Sequence, residues 1–195
     1  MQTDPEVERH PFDPFLPEGA VVLFLGSFPP QPKRWCMEFY YPNWLNDFWR
    51  ICGLVFYDDR DYFVLAGEKR FDLPRIISFC TEKGIALYDT ATAVRRLQDN
   101  ASDKFLEVVE PTDVPGLLDR IPSCAAVVTT GQKATDVLVE RYGCPAPAVG
   151  DSVGIRVGGR SLNFFRMPST SRAYPLSLEK KAVAYRGLFK VLGLI

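Results

Sequence analysis

Two stretches of this chain set hydrogen-bonding and aromatic side chains where a buried strand should end. The first is Gly26-Ser27-Phe28-Pro29-Pro30, directly after the apolar run Ala20-Val21-Val22-Leu23-Phe24-Leu25. Glycine and proline at that point make a tight turn that exposes backbone N–H groups at the carboxyl edge of a sheet. The aromatic run from Phe39-Tyr40-Tyr41 to Phe48-Trp49 comes next. Flat rings beside such a turn suit a flipped nucleic-acid base, since stacking one base is worth about 1–3 kcal/mol against the few kcal/mol that unstacking costs. In a chain that is 13% aromatic most rings are core. Phe48 and Trp49 are expected there, whereas Tyr41 is open to either role. Asn46, by residue type alone, reads as a helix N-cap.

The second stretch, Phe164-Phe165-Arg166-Met167-Pro168-Ser169-Thr170-Ser171-Arg172-Ala173, runs from a strand into three hydroxyl side chains and an arginine. Hydroxyls and backbone amides at a strand end can hold phosphate oxygens, and Arg172 could clamp a groove. The same residues also serve ordinary turn and capping chemistry ahead of a helix.

The elements that must position these stretches are set by periodicity and breakers. Residues 1–19, with five acidic residues and four prolines, read as an extended leader laid on the domain or left mobile. A buried strand covers 20–25, and a helix starting near Asn46 is expected to stop at Gly53. A second helix spans Leu73 to Lys83, ends at Gly84, and leads at once into the strand Ile85-Ala86-Leu87-Tyr88-Asp89. Thr112-Asp113-Val114-Pro115 starts a short helix to Arg120. The strand Ala125 to Thr130 turns at Gly131 into a helix whose apolar face carries Ala134, Val137, Leu138 and Tyr142. Gly158-Gly159 marks a hairpin, and Leu178, Ala182, Tyr185, Phe189 and Leu192 line one face of a last helix behind Ser177. Strands alternating with helices predict a three-layer α/β/α sandwich with a mainly parallel central sheet, as one domain over residues 20–195. Ligands in such folds bind beyond the carboxyl ends of the strands, which directs attention to the turns just after Leu25, Asp89, Thr130 and Phe165.

Composition narrows the chemistry further. With 195 residues, 47% hydrophobic and 24% charged, the chain suits one well-buried core. No apolar run is long enough for a bilayer and no signal peptide opens the sequence, so a cytoplasmic protein without a membrane is expected. The five cysteines form no C-x-x-C pair and read as small core residues, which leaves no metal or disulfide framework in view. His10, the only histidine, falls in the leader, so the folded body has no evident histidine base. A net charge of −1 gives no overall pull on a polyanion. Any grip on nucleic acid must come from a local basic face drawn from Arg34, Arg50, Arg95, Arg96, Lys133, Arg166 and Arg172.

Taken together, Gly26-Ser27-Phe28-Pro29, Tyr40-Tyr41, Asn46-Asp47-Phe48-Trp49 and Met167-Pro168-Ser169-Thr170-Ser171 ahead of Ser177-Leu178-Glu179-Lys180 resemble motifs I and II of the uracil-DNA glycosylase superfamily. The hypoxanthine-DNA glycosylase branch is most similar, then the mismatch-specific uracil glycosylases, with the likeness running from about Val21 to Leu192. The resemblance implies a base pocket bordered by Gly26, Ser27, Phe28 and Pro29, with Tyr41 stacking on the extruded base and Asn43 and Thr130 in its wall. It makes Asn46 the catalytic asparagine, gives Ser169, Thr170 and Ser171 the pinching of the DNA backbone, and leaves Arg172 as a wedge or phosphate contact. The implied activity is a monofunctional N-glycosylase that acts as a monomer, without metal or cofactor, on DNA containing hypoxanthine or uracil.

The departures from the family pattern limit the mechanism. Phe28 stands where mismatch-specific members place a water-positioning asparagine, Asn43-Trp44 replaces a His-Pro, Thr130 an asparagine, and Met167 the motif II histidine of uracil-specific enzymes. Glycosidic cleavage builds negative charge on the departing base, so neutral hydrogen-bond donors and a placed water can still serve. Those same substitutions favour a rival reading, a damaged-DNA-binding member of the fold that has lost turnover. A small-molecule enzyme is a third, under which motif II would have no duplex to grip.

Overall fold

The computed structural model describes residues 5–98 and 103–195; Met1 to Asp4 of the leader lie outside the described residues. Eight strands and five helices are described. The strands are β1 (Val7–Arg9), β2 (Val22–Gly26), β3 (Ile85–Asp89), β4 (Ala91–Arg96), β5 (Leu106–Pro111), β6 (Ala126–Thr130), β7 (Asp151–Val157) and β8 (Arg160–Met167). The helices are α1 (Phe48–Tyr57), α2 (Leu73–Lys83), α3 (Val114–Arg120), α4 (Gln132–Tyr142) and α5 (Leu178–Val191).

The central sheet has the order β3-β2-β6-β8-β7, parallel except for β7, which pairs antiparallel with β8 through the Gly158-Gly159 hairpin. Every residue of β2, β3 and β6 is buried. Strands buried on both faces need continuous apolar runs and helices on each side, which is the three-layer α/β/α sandwich that the alternation of elements predicts. Phe24 of β2 packs edge-on to Phe48 of α1, with ring centroids 5.4 Å apart, and lies 6.0 Å from Phe189 of α5.

Several boundaries obey the local signals. Asp72 and Asp113 cap α2 and α3 through their carboxylates, Ser177 caps α5 through its hydroxyl, and Gly84 ends α2 in the left-handed region at φ 65°. One boundary differs. Helix α1 begins at Phe48 and runs through Gly53 to Tyr57, ending at Asp58 with φ 55°. Gly53 is a packing position and not a stop: a Cβ there would press into the carbonyl oxygen of Asp59.

A second sheet, antiparallel and ordered β1-β4-β5, has no counterpart among the expected elements. Its strands are short and mostly polar outside, so they carry little periodic signal. Val7 to Arg9 of the leader form its edge strand, and Phe15 bridges Leu87, so residues 7–15 are tied to the domain at both points. Phe28, Ala91, Val94 and Leu106 form its own small apolar core. No helix among the described residues is long and apolar enough to cross a membrane.

Candidate active site

The two chemically suggestive turns meet. Asn46 and Ser171 form an antiparallel bridge, Asp47 N donates to the Thr170 carbonyl at 2.8 Å, and Arg172 N donates to the Leu45 carbonyl at 3.3 Å. Beneath the bridge lies Asp47, nearly buried, whose carboxylate accepts from Lys181 Nζ of α5 and from Arg172 Nε, both at 3.0 Å. Lys181 is fully buried and also donates to the Ser171 carbonyl at 2.8 Å. An ionic clasp of this kind, desolvated and hydrogen-bonded on both sides, fixes the serine-rich turn to the start of α1.

Beside the joined turns is a cavity of about 130 Å³, bordered by Gly26, Ser27, Phe28, Pro29, Tyr41, Asn43, Asn46, Thr130, Ser169, Thr170 and Ser171. A cavity of roughly 150 Å³ holds a benzene, so the volume is on the scale of a flat aromatic ligand. Tyr41 sits at φ 52°, in the left-handed region. Its ring stacks on Phe48 at 3.9 Å and 11°, and its hydroxyl shares a 3.0 Å hydrogen bond with Thr130 Oγ1. One ring face is therefore taken, and an incoming base can stack only on the other. Burial pushes the Tyr41 hydroxyl well above the usual phenol range, which keeps it a neutral hydrogen-bonding group.

Both asparagines point their carbonyls at the backbone. Asn46 Oδ1 accepts from Phe48 N and Asn43 Oδ1 from Leu45 N, each at 2.9 Å. Because each partner is an N–H donor, the facing atom must be the amide oxygen, and the amide NH2 is the group left for a ligand. The N-cap of α1 is Asp47, and not Asn46 as the residue type suggests; Asn46 lies one position before it, holds the Phe48 N–H through its amide oxygen and borders the cavity.

Four titratable residues at the cavity or beside it were not among the expected site residues. Asp89, the last residue of β3, accepts a 2.9 Å hydrogen bond from His10 Nε2. The His10 side chain is 2% exposed, among Phe12, Phe28, Tyr40 and Tyr88. This corrects the expectation that the folded body has no histidine: pairing of β1 with β4 carries His10 into the core. A Cβ on Gly26 would press against Asp89 Oδ1, so any larger residue there must displace the carboxylate that overhangs the turn. Arg96 of β4 grips both carboxylate oxygens of Glu8 at 3.0 Å and the Pro29 carbonyl at 3.1 Å, locking β1 and the Pro29 turn together. Asp103 borders the cavity from the far side and is hydrogen-bonded to the Ser27 side chain. Of the four, only Asp89 had a sequence signal, its place at the carboxyl end of a parallel strand.

The basic residues divide. Arg50 is buried, 4.2 Å over the Trp44 ring and bonded to the Trp44 carbonyl; with Arg96 held by Glu8, neither is available to a phosphate. Arg172 does not border the cavity; its Nε is held by Asp47, and its side chain remains 40% exposed at the rim. All five cysteines are free, and burial raises the Cys52 and Cys80 thiols, as expected for inert core residues. Among the described residues, no three His, Cys, Asp or Glu side chains come together in a way that could hold a metal ion.

No protein-family model matches the sequence, and no curated protein is significantly similar to it. Among solved structures, 17 chains match the fold. One is a candidate uracil DNA glycosylase from Methanosarcina acetivorans, determined in solution by NMR. It superposes with a TM-score of 0.65 at 21% identity, over 96% of this chain and 99% of that one. At that identity the likeness shows a shared fold.

Proposed function

We propose that this protein is a DNA glycosylase that turns a deaminated base, hypoxanthine or uracil, out of the helix and hydrolyses its N-glycosidic bond. The observation that supports the reading is the cavity at which the two turns meet, with Tyr41, Asn43 and Asn46 all in its lining. The fold shared with the M. acetivorans protein supports it.

In this mechanism Ser169, Thr170 and Ser171 press on the DNA backbone while the rim guanidinium of Arg172 meets a phosphate or fills the gap in the stack. The base slides onto the free face of Tyr41. As the C1′–N bond lengthens, charge grows on the base, and the Asn46 amide stabilises it by donating a hydrogen bond that strengthens in the transition state. Water completes the reaction at C1′. The protein works as a monomer in the cytoplasm and uses neither metal nor cofactor.

Incubation with duplexes containing inosine, uracil or xanthine should yield alkali-labile abasic sites, and none with any of them would remove the enzymatic reading for those lesions. Asn46→Ala should lower single-turnover cleavage by roughly 10²–10³, the cost of one such donor. A second reading, binding of damaged DNA without turnover, is favoured by Phe28, which packs into the second sheet's apolar core at the point where a water-positioning group is expected. Tight binding to abasic DNA with no cleavage would select it.

A further inference from the structure

A neutral mechanism leaves two cavity carboxyls without work. Asp89 is held by His10, and Asp103 by the Ser27 side chain. Resting on the glycosylase reading, we propose that Asp103 is a catalytic proton donor to a departing purine, so that the preferred substrate is a deaminated purine and not uracil.

Three features support this. Asp103 stands in the cavity wall with its carboxyl anchored by a hydroxyl of the very turn that borders the base. Among the described residues, the charged groups acting on it are Asp89, Arg96 and Lys133; burial and the Asp89 charge raise its carboxyl above the usual range, outweighing Ser27, Arg96 and Lys133, which lower it. A carboxylate close by in the same pocket favours the protonated form of a carboxyl. Chemically, a purine carries a basic lone pair at N7, outside its pairing edge, whereas uracil has no basic ring nitrogen. The Asp103 carboxyl gives its proton to N7, and the C1′–N9 bond breaks with its electron pair passing to the base, which leaves neutral. Water then adds to C1′, and the proton it sheds restores Asp103 through solvent.

The test is single-turnover cleavage of duplexes containing 2′-deoxyinosine or its 7-deaza analogue, in which a C–H replaces N7. General acid catalysis typically supplies about 10²–10⁴ in rate. Wild-type protein is expected to cleave the inosine duplex at least about 100-fold faster than the 7-deaza duplex, with the rate falling as pH rises. Asp103→Asn should lose about 100-fold on inosine, lose the pH limb and discriminate far less between the two duplexes, with affinity for abasic DNA unchanged. Ser27→Ala should move the pH limb upward and Asp89→Asn downward, since the hydroxyl lowers and the charge raises the Asp103 carboxyl. Equal wild-type rates on both duplexes, a fully active Asp103→Asn protein, or a pH limb unmoved in both neighbouring variants would overturn the proposal. Cleavage of uracil alone would overturn it while leaving the glycosylase reading standing; cleavage of nothing removes both.

Discussion

The cavity has two walls built on different physics. One, from the Tyr41–Asn46 stretch and the Ser169–Ser171 turn, is neutral at its surface and keeps its charges underneath, in the Asp47–Lys181–Arg172 clasp. The other, from the Gly26–Pro29 turn, the end of β3 and the approach to β5, brings Asp89, Arg96 and Asp103 to the cavity itself, with His10 behind Asp89. The first wall is suited to gripping and stacking, where fixed shape matters. The second, where burial raises the Asp103 carboxyl, is suited to proton transfer. A single cavity can hold a flat, uncharged ligand and still handle protons because the two tasks are kept on separate elements.

The largest way to break this contrast is at the clasp. Asp47→Ala leaves the Lys181 ammonium buried and unpaired, and is expected to cost about 3–5 kcal/mol of stability, read as a lower urea midpoint with an unchanged slope. Next comes Gly26→Ala, which drives a methyl against Asp89 Oδ1. Overpacking of this sort costs about 1–3 kcal/mol, and the displaced carboxylate should impair cleavage more than affinity for abasic DNA. Tyr41→Phe and Thr130→Val each remove one side of the 3.0 Å hydrogen bond and should cost about 1 kcal/mol, while the double variant costs less than the sum.

The smallest effect sharpens the charged wall. The Asp103 carboxyl is raised above 3.8, so protonation favours the folded state. That contribution is complete below about 3.8 and is lost as pH climbs through the folded value. Asp103→Asn should therefore match wild type in acid and be slightly more stable at neutral pH, which denaturation at two pH values would check.

The two walls also differ in how far the sequence reveals them. Gly26, Tyr41, Asn46 and Ser169–Ser171 lie in or beside breakers next to buried runs; local chemistry leaves their roles open, and it is the two motifs taken together that single them out. The capped starts of α2, α3 and α5 and the hairpin at Gly158-Gly159 are legible for the same reason. Helix α1 outruns its local signal because Gly53 has the look of a terminator, when the constraint on it is the packing of Asp59.

Residue order alone determined every element whose signal lies within a few neighbouring positions: the apolar strands of the parallel sheet, most of the helices, and the turns at their ends. Only the tertiary structure decided the small antiparallel sheet and the charges it delivers, because His10 finds Asp89 across 79 positions and Arg96 finds Glu8 across 88. Such pairs depend on the register of short, half-exposed strands, for which the pattern of apolar and polar residues specifies little until the rest of the chain has folded around them.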